Sequence, residues 1–307
     1  MTTVIYHSAD FDGIFCREIA RKFLGDKDVQ YIGWNFGDPP LPIPSSDVDE
    51  CYVMDLPLDA PFGVKMPLGL TALVNNGVNG LVWIDHHASS IASHPTDIPG
   101  YRIDGVAACR LAWQWFLNLE VPNSTGSEPL PTKDRYVDRT VYEPLAVRLA
   151  GEYDVWDKRH EWTDLFQYGL RACREVDMQS LLIFGGGPDL AVLGIVDAGE
   201  VARGYAASVD ASNMKGSFLT KWEGLTFLCL NGRGNSLTFA SLDVPETGHD
   251  ALLMFYLNAH REWVVSLYHA KHRTDLDLSA IAVRHGGGGH KGACGFTWKQ
   301  WPLPFPV

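Results

Sequence analysis

Asp85-His86-His87 places one carboxylate and two imidazoles directly behind a short apolar, β-prone run, Gly80-Leu81-Val82-Trp83-Ile84. Two earlier runs end alike. Val4-Ile5-Tyr6 empties into His7, Asp10 and Asp12, and Cys51-Tyr52-Val53-Met54 empties into Asp55. A lone Asp or His at a strand end is usually a cap or turn residue. Three such ends are another matter, because open α/β sheets bind ligands at the carboxyl edge of their strands. Carboxylates crowded this closely titrate upward unless a cation neutralises them. Asp and His without thiolates suit borderline-hard divalent ions such as Mn²⁺, with Mg²⁺, Fe²⁺ or Co²⁺ as alternatives. Five or more ligands exceed what one tetrahedral zinc needs. Two ions roughly 3.5–4 Å apart that share a carboxylate form an arrangement that hydrolyses phosphoesters.

Near the other end, residues 286–292 read Gly-Gly-Gly-Gly-His-Lys-Gly. Consecutive glycines leave backbone N–H groups able to face an anion. His290 and Lys291 add charge-assisted donors for phosphate oxygens. Gly287, Gly289 and Gly292 satisfy a GxGxxG spacing, but a helix-prone stretch precedes them and a strand-like run follows. That order is the reverse of the dinucleotide fingerprint, and the Walker pattern fails because no Gly-Lys-Ser/Thr occurs. His94, His160, His249 and His260 have no supporting neighbours in the sequence and read as surface or packing residues. Tyr31, Trp34 and Phe36 could stack a base, with aromatic core the plainer reading.

The elements that must position these groups alternate in type along the first half. Strand-like runs at 4–6, 30–34, 50–56 and 80–85 are interleaved with helical periodicity at 13–24, stopped by Gly25, and at 106–117. Near-continuous apolar strands in a βαβ rhythm predict an α/β fold with a parallel sheet covered on both faces. Residues 39–44 form a Pro-rich loop and residues 122–135 a polar one. A helix over 141–153 leads into Asp154. Gly185-Gly186-Gly187-Pro188 borders a long helix from 190 to about 218. Strands at 225–230, 237–242, 251–257 and 263–268, then a helix at 278–284, predict a smaller α+β domain. The expected division is 1–188, a linker helix 189–218, and 219–307.

Composition bounds the function. A chain of 307 residues suits two domains, and 46% hydrophobic with 20% charged residues is ordinary globular composition. No apolar run approaches the ~20 residues of a membrane span, and no signal-type segment opens the sequence, so a cytoplasmic protein without a membrane partner is expected. Six scattered cysteines without a CxxC exclude zinc-finger and disulfide frameworks. The charge is 25 − 37 = −12, with no Lys/Arg run. A protein tracking long nucleic acid needs a basic stripe, so a short anionic substrate is favoured.

His-Ser-Ala-Asp-Phe-Asp-Gly (7–13), Asp55, Asp85-His86-His87 and Glu-Tyr-Asp-Val-Trp-Asp (152–157) resemble the four motifs of the DHH phosphoesterase family. Residues 286–296 are similar to the signature of its associated C-terminal domain. The match spans both halves, in order, over nearly the whole chain. The resemblance implies a parallel-sheet catalytic domain and a smaller substrate domain, with the active site in the cleft between them. It implies two manganese ions. His7, Asp10 and Asp55 would hold one; Asp12, Asp55, His86 and Asp154 would hold the other, with Asp55 bridging. His87 would face the scissile phosphate as a cationic or proton-donating group, Asp85 would orient the imidazoles, and the nucleophile would be a metal-bound water. Asp154 aligns with the fourth motif, whereas Asp157 reads as a salt-bridged surface acid. Gly287, Gly288, Gly289, His290 and Lys291 would bind substrate phosphates. Related domains carry an Arg after the strand preceding the glycines. Here that place is open among His269, Lys271 and Arg273, with Arg273 the candidate.

The expected activity is hydrolysis of short RNA oligomers, linear dinucleotides or cyclic nucleotides. The alternatives are a single-strand exonuclease of the RecJ type, which the acidity disfavours, and a pyro- or polyphosphatase, which the C-terminal signature disfavours. An idle nucleotide-binding module would have lost ligands, and every expected position is filled. Partners would be a short oligonucleotide or nucleotide, not a long duplex, and a homodimer is admissible.

Overall fold

Strands buried on both faces build the centre of the first sheet. Thr2–His7 (β1), Val29–Trp34 (β2), Glu50–Met54 (β3) and Gly80–Ile84 (β4) pair in parallel in the order β2-β1-β3-β4. Val4, Tyr52, Met54, Val82 and Ile84 face one hydrophobic cluster, which includes Phe15, Ile19, Leu111 and Ala112 of two helices. The alternate residues Ile5, Cys51, Val53, Leu81 and Trp83 face another, with Trp34, Leu56, Phe62 and Ile98. Successive side chains of a strand point to opposite faces, so a strand buried on both sides must be apolar throughout. Each such side chain contributes about 1.5–3 kcal/mol on full burial.

The computed structural model describes residues 1–44, 48–64, 80–94, 97–120, 131–183, 190–239 and 241–307. The chain divides into two units, Met1–Ala202 and Arg203–Val307. The division falls inside the helix Leu190–Asn213. The expected glycine hinge at 185–188, and the expected boundary at 188/189, lie outside the described residues. Among the described residues no helix is long and apolar enough to cross a membrane.

In the first unit the helix Phe11–Leu24 starts where Asp10 accepts the Gly13 N–H at 3.1 Å, and stops where the Gly25 N–H closes on the Arg21 carbonyl. The buried helix expected over 106–117 runs Ala108–Glu120. The helix expected from 141 begins only at Leu145, because Pro144 holds extended backbone at its N-cap, and it ends at Asp154. Part of the expected polar loop, residues 122–130, lies outside the described residues. Its end is corrected to a short helix, Lys133–Val137, which Thr132 caps by accepting the Arg135 N–H. The helix Thr163–Ala172 was not expected from the sequence.

In the second unit Phe218–Trp222 (β5), Leu225–Asn231 (β6), Ala251–Leu257 (β7), Trp263–His269 (β8), Gly288–His290 (β9) and Ala293–Trp298 (β10) form a six-stranded sheet in the order β5-β6-β7-β8-β10-β9. Within it β6 and β7 pair in parallel and the other neighbours pair antiparallel. Three expectations are corrected here. The long helix does not reach 218, since a 3₁₀ turn at Met214–Gly216 unwinds it and β5 begins. The run expected as a strand over 237–242 instead opens in a 3₁₀ turn, because the Asn235 side chain accepts the Leu237 N–H and coils Ser236–Phe239, burying Phe239. The glycine segment is not an open cradle. Gly288–His290 forms the edge strand against β10, so ladder pairing takes up part of its backbone. Gly289 sits at φ +125 with the place of a Cβ 2.7 Å from Cys294 Cα, which fixes glycine there for close strand approach.

Candidate metal centre

The sheet register sets the level of the site. Tyr6 lies opposite Met54, and Met54 opposite Ile84, so His7, Asp55 and Asp85 emerge together one residue later. The chain leaves β1 to form β2 on one side and returns to form β3 on the other. That reversal is the switch point at which parallel sheets open a crevice. Asp55 occupies the left-handed region at φ 58 while its N–H donates to the Ile84 carbonyl at 2.9 Å. A non-glycine residue held there signals a conformation imposed by its surroundings, as is common at functional sites.

The Asp55 carboxylate is divided. Its Oδ2 lies 3.5 Å from His7 Nδ1, and its Oδ1 lies 3.4 Å from His86 Nε2. Asp10 Oδ2 completes the first group at 3.0 Å from His7 Nδ1. Asp12 Oδ2 at 3.5 Å and Asp154 Oδ2 at 3.3 Å converge on His86 Nε2 in the second. Within His7/Asp10/Asp55, and within Asp12/Asp55/His86, the potential ligand atoms all lie within 4.8 Å of one another.

Neighbouring groups aim these donors. His7 Nε2 meets Asn35 Oδ1 at 3.2 Å, which places the proton on Nε2 and leaves Nδ1 toward the carboxylates. Asp12 accepts the Ala108 N–H at 2.8 Å and the Cys109 N–H at 2.7 Å, the first donors of the helix Ala108–Glu120. Such N–H groups lack partners inside their own helix and favour negative charge. Asp85 is fully buried, and its Oδ1 accepts the His86 N–H at 2.8 Å and pairs with His87 Nδ1 at 2.7 Å. Gly13 lets its helix start against β1, since a Cβ there would stand 1.9 Å from the His7 carbonyl oxygen.

The electrostatics are those of crowded acids. Burial raises Asp12 and Asp55 beside it raises it further, to about 7. Burial also carries Asp154 well above the usual carboxylate range against the pull of His86, with Asp12 and Asp55 adding. Burial opposes charge on His7, yet Asp10 and Asp55 outweigh it and push the imidazole up to about 11. Burial likewise opposes charge on His86, and Asp55, Asp154 and Asp12 raise it well above its ordinary value. Asp55 resists burial because His7 and His86 hold it below the usual range. Asp55 Oδ2 and Asp154 Oδ2 are buried without a hydrogen-bond partner among the described residues. Acids balanced only by protons on imidazoles, with orphaned oxygens between them, fit a pair of divalent cations.

No family model matches the chain, and no curated protein does. Solved structures do match. RecJ from Thermus thermophilus, in complex with Mn²⁺, aligns with a TM-score of 0.50 at 12% identity, over 97% of this chain and 49% of that one. The chain has the RecJ fold. It spans about half the length of that RecJ, and the resemblance to DHH phosphoesterases holds at the level of the fold. Also similar are the pGpG-specific phosphodiesterase PggH from Vibrio cholerae and an uncharacterized protein from Helicobacter pylori G27. Their TM-scores are 0.43 and 0.39 and their identities 13% and 14%. The alignments cover 97% of this chain and 92% of PggH, and 98% of this chain and 94% of the Helicobacter protein.

On this RecJ-like fold, His7, Asp10, Asp12, Asp55, His86 and Asp154 come together, with Asp85 and His87 beside them. Asp157 does not join them, being paired with Arg159 at 2.6 Å. Gly287, Gly288, Gly289, His290 and Lys291 lie in the second unit at and around β9. Arg273 there is tied to Asp250 and, at 3.0 Å, to Asp275, and His269 Nε2 meets the Leu276 carbonyl at 2.6 Å. Phe36, for which the sequence favours aromatic core over base stacking, is instead exposed and lies edge-on to His7 at 5.6 Å. Two features escaped sequence reasoning: Asn35 and the helix start at Ala108. Asn35 directly follows the β2 run, which is a usable signal. The helix start has none, because Val106 and Ala107 carry no capping group.

Proposed function

We propose that the chain is a metal-dependent phosphodiester hydrolase acting on short RNA oligomers, linear dinucleotides or cyclic nucleotides. The observation that carries this reading is the division of Asp55 between two Asp/His groups at one sheet edge. His7, Asp10 and Asp55 would hold one divalent cation, and Asp12, Asp55, His86 and Asp154 the other. When bound, such ions neutralise phosphate charge and acidify the attacking water. Manganese suits the donor set, and the Thermus RecJ was solved with it.

The protein's own part is positioning. Asn35 fixes the face that His7 presents, and the helix start at Ala108 holds Asp12 in place and favours its anion against the burial that raises it. Asp85 holds His87, whose side chain is 23% exposed, so that the imidazolium can pair with a phosphate oxygen and give a proton to the leaving oxygen. In the second unit, His290, Lys291 and Arg273 would supply cationic donors for substrate phosphates. The net charge of −12 and the lack of a Lys/Arg run favour short substrates over a processively degraded strand.

The test is a panel of a linear dinucleotide, a five-residue RNA, cyclic dinucleotides, pyrophosphate, a 3′,5′-bisphosphate and a long single strand. Each is incubated with Mn²⁺ and with chelator. The dinucleotide and short RNA should be cleaved with Mn²⁺ only, and Asp55→Ala should fall to background. Cleavage of no member with Mn²⁺, Mg²⁺, Co²⁺ or Fe²⁺ sinks the enzyme reading. Preference for the long strand replaces it with an exonuclease of the RecJ type.

A further inference from the structure

His249 has no partner in its sequence neighbourhood, yet the fold gives it two. Its side chain is wholly buried, and Nε2 lies 3.1 Å from Asp243 Oδ1. That carboxylate is itself buried and accepts the Lys271 N–H at 3.2 Å. His272 lies edge-on to the His249 ring with centroids 5.2 Å apart, and its Nε2 meets the His249 carbonyl at 2.9 Å. One potential ligand atom from each of the three residues lies within 4.8 Å of the other two.

A carbonyl only accepts, so His272 Nε2 carries the proton of that bond and Nδ1 keeps its lone pair, the form that ligates metals. Nε2 is the His249 nitrogen that faces Asp243 Oδ1, so it is the one that can share an ion with that carboxylate. Two imidazoles and one carboxylate are the donor set of three-ligand zinc sites that keep a fourth position open. The 3.1 Å between His249 and Asp243 is close to the edge, roughly 3.3 Å, of a tetrahedron with bonds of about 2.0–2.1 Å. Asp243 and His249 are buried while His272 is exposed, so an ion can enter from solvent on the His272 side.

We propose that Asp243, His249 and His272 form a second-unit binding site for a divalent transition metal, with zinc the best fit to the donors. The ion would tie residues 243–249, which precede β7, to the turn after β8 that also carries Arg273. This proposal is independent of the phosphodiesterase reading.

Cobalt(II) serves as a visible stand-in for zinc. The full chain is stripped with chelator, reloaded with Co²⁺, freed of excess metal by gel filtration, and assayed by elemental analysis and absorption. His272→Ala, a change at an exposed position, should retain one equivalent fewer than the unaltered chain and lose an intense tetrahedral Co²⁺ band. Asp243→Asn, which preserves side-chain shape, should show the same loss. Asp55→Ala should retain that band, because it alters only the first-unit centre. Unchanged stoichiometry and spectrum in either second-unit variant overturns the proposal.

Discussion

Asp85 aims the His87 ring, and that makes Asp85 testable apart from the metal ligands. The 2.7 Å contact between Asp85 Oδ1 and His87 Nδ1 favours the imidazolium. Burial opposes charge on His87, but Asp85 outweighs it and raises the ring. Asp85→Asn keeps an acceptor for the His86 N–H and removes the charge. The expected result is a kcat about 10²-fold lower with KM little changed, at the low end of what a positioned acid supplies. Activity that needs the His87 proton falls as pH rises through its pKa. In the variant that alkaline limb should therefore move to lower pH. A pH profile that keeps its alkaline limb in place would reduce Asp85 to a structural support. His7, Asp55 and His86 were legible as candidate ligands because they stand just past strand ends, whereas Asp154, at the end of a helix, came only from the resemblance. Asn35 and the Ala108 and Cys109 N–H groups were not legible, since they reach His7 and Asp12 through space from other elements.

Two helices must hold their relative position for Asp12 and Asp154 to meet His86. One is Ala108–Glu120, whose start anchors Asp12, and the other is Leu145–Asp154, which carries Asp154 at its end. Arg110 and Glu143 lock them. Both side chains are buried, and Arg110 Nε donates to Glu143 Oε2 at 2.9 Å with its Nη2 on Oε1. Breaking a buried pair by removing one partner costs about 3–5 kcal/mol, because the remaining charge is left unpaired. Glu143→Gln should lower the urea midpoint accordingly and reduce Mn²⁺ affinity with it. A midpoint within ~0.5 kcal/mol of the parent would show that the pair does not hold the helices. At this scale the sequence was most readable where one periodicity dominated, as in β1, β3, β4 and the helix after Asp10. It misled where a local side chain bent the chain, as Asn235 does before Phe239. The edge strand of glycines was invisible because its pairing partner, β10, fixes it from outside.

Five of the chain's 37 acidic residues, Asp10, Asp12, Asp55, Asp85 and Asp154, converge at one sheet edge, and this gives metal uptake a definite pH dependence. Without a cation, protons take its place. His7 is raised from 6.5 to about 11, so its contribution to stability is complete below its unfolded value and is lost as pH rises toward 11. Asp12 is raised from 3.8 to about 7, so the fold holds its proton longer than the unfolded chain does. Its contribution therefore falls as pH rises across that interval. The lowered pKa of Asp55 acts only in acid, where stability is lost as pH falls through its folded value. Around neutrality and above, the metal-free unit thus weakens with rising pH while its proton competitors leave the imidazoles. Cations bind tighter under the same change, about tenfold per pH unit for each proton displaced. At 100 times Kd, binding contributes about 2.7 kcal/mol, and a unit of this size gains about 2–4 °C per kcal/mol. Thermal melts should show Mn²⁺ raising the transition of the first unit by roughly 5–10 °C at pH 8, with a smaller increment at pH 6. Calorimetry in buffers of different ionisation enthalpy should register net proton release on binding. A melting increment that does not change with pH, or binding without proton release, would remove His7 and Asp12 from the set of groups the cation displaces protons from.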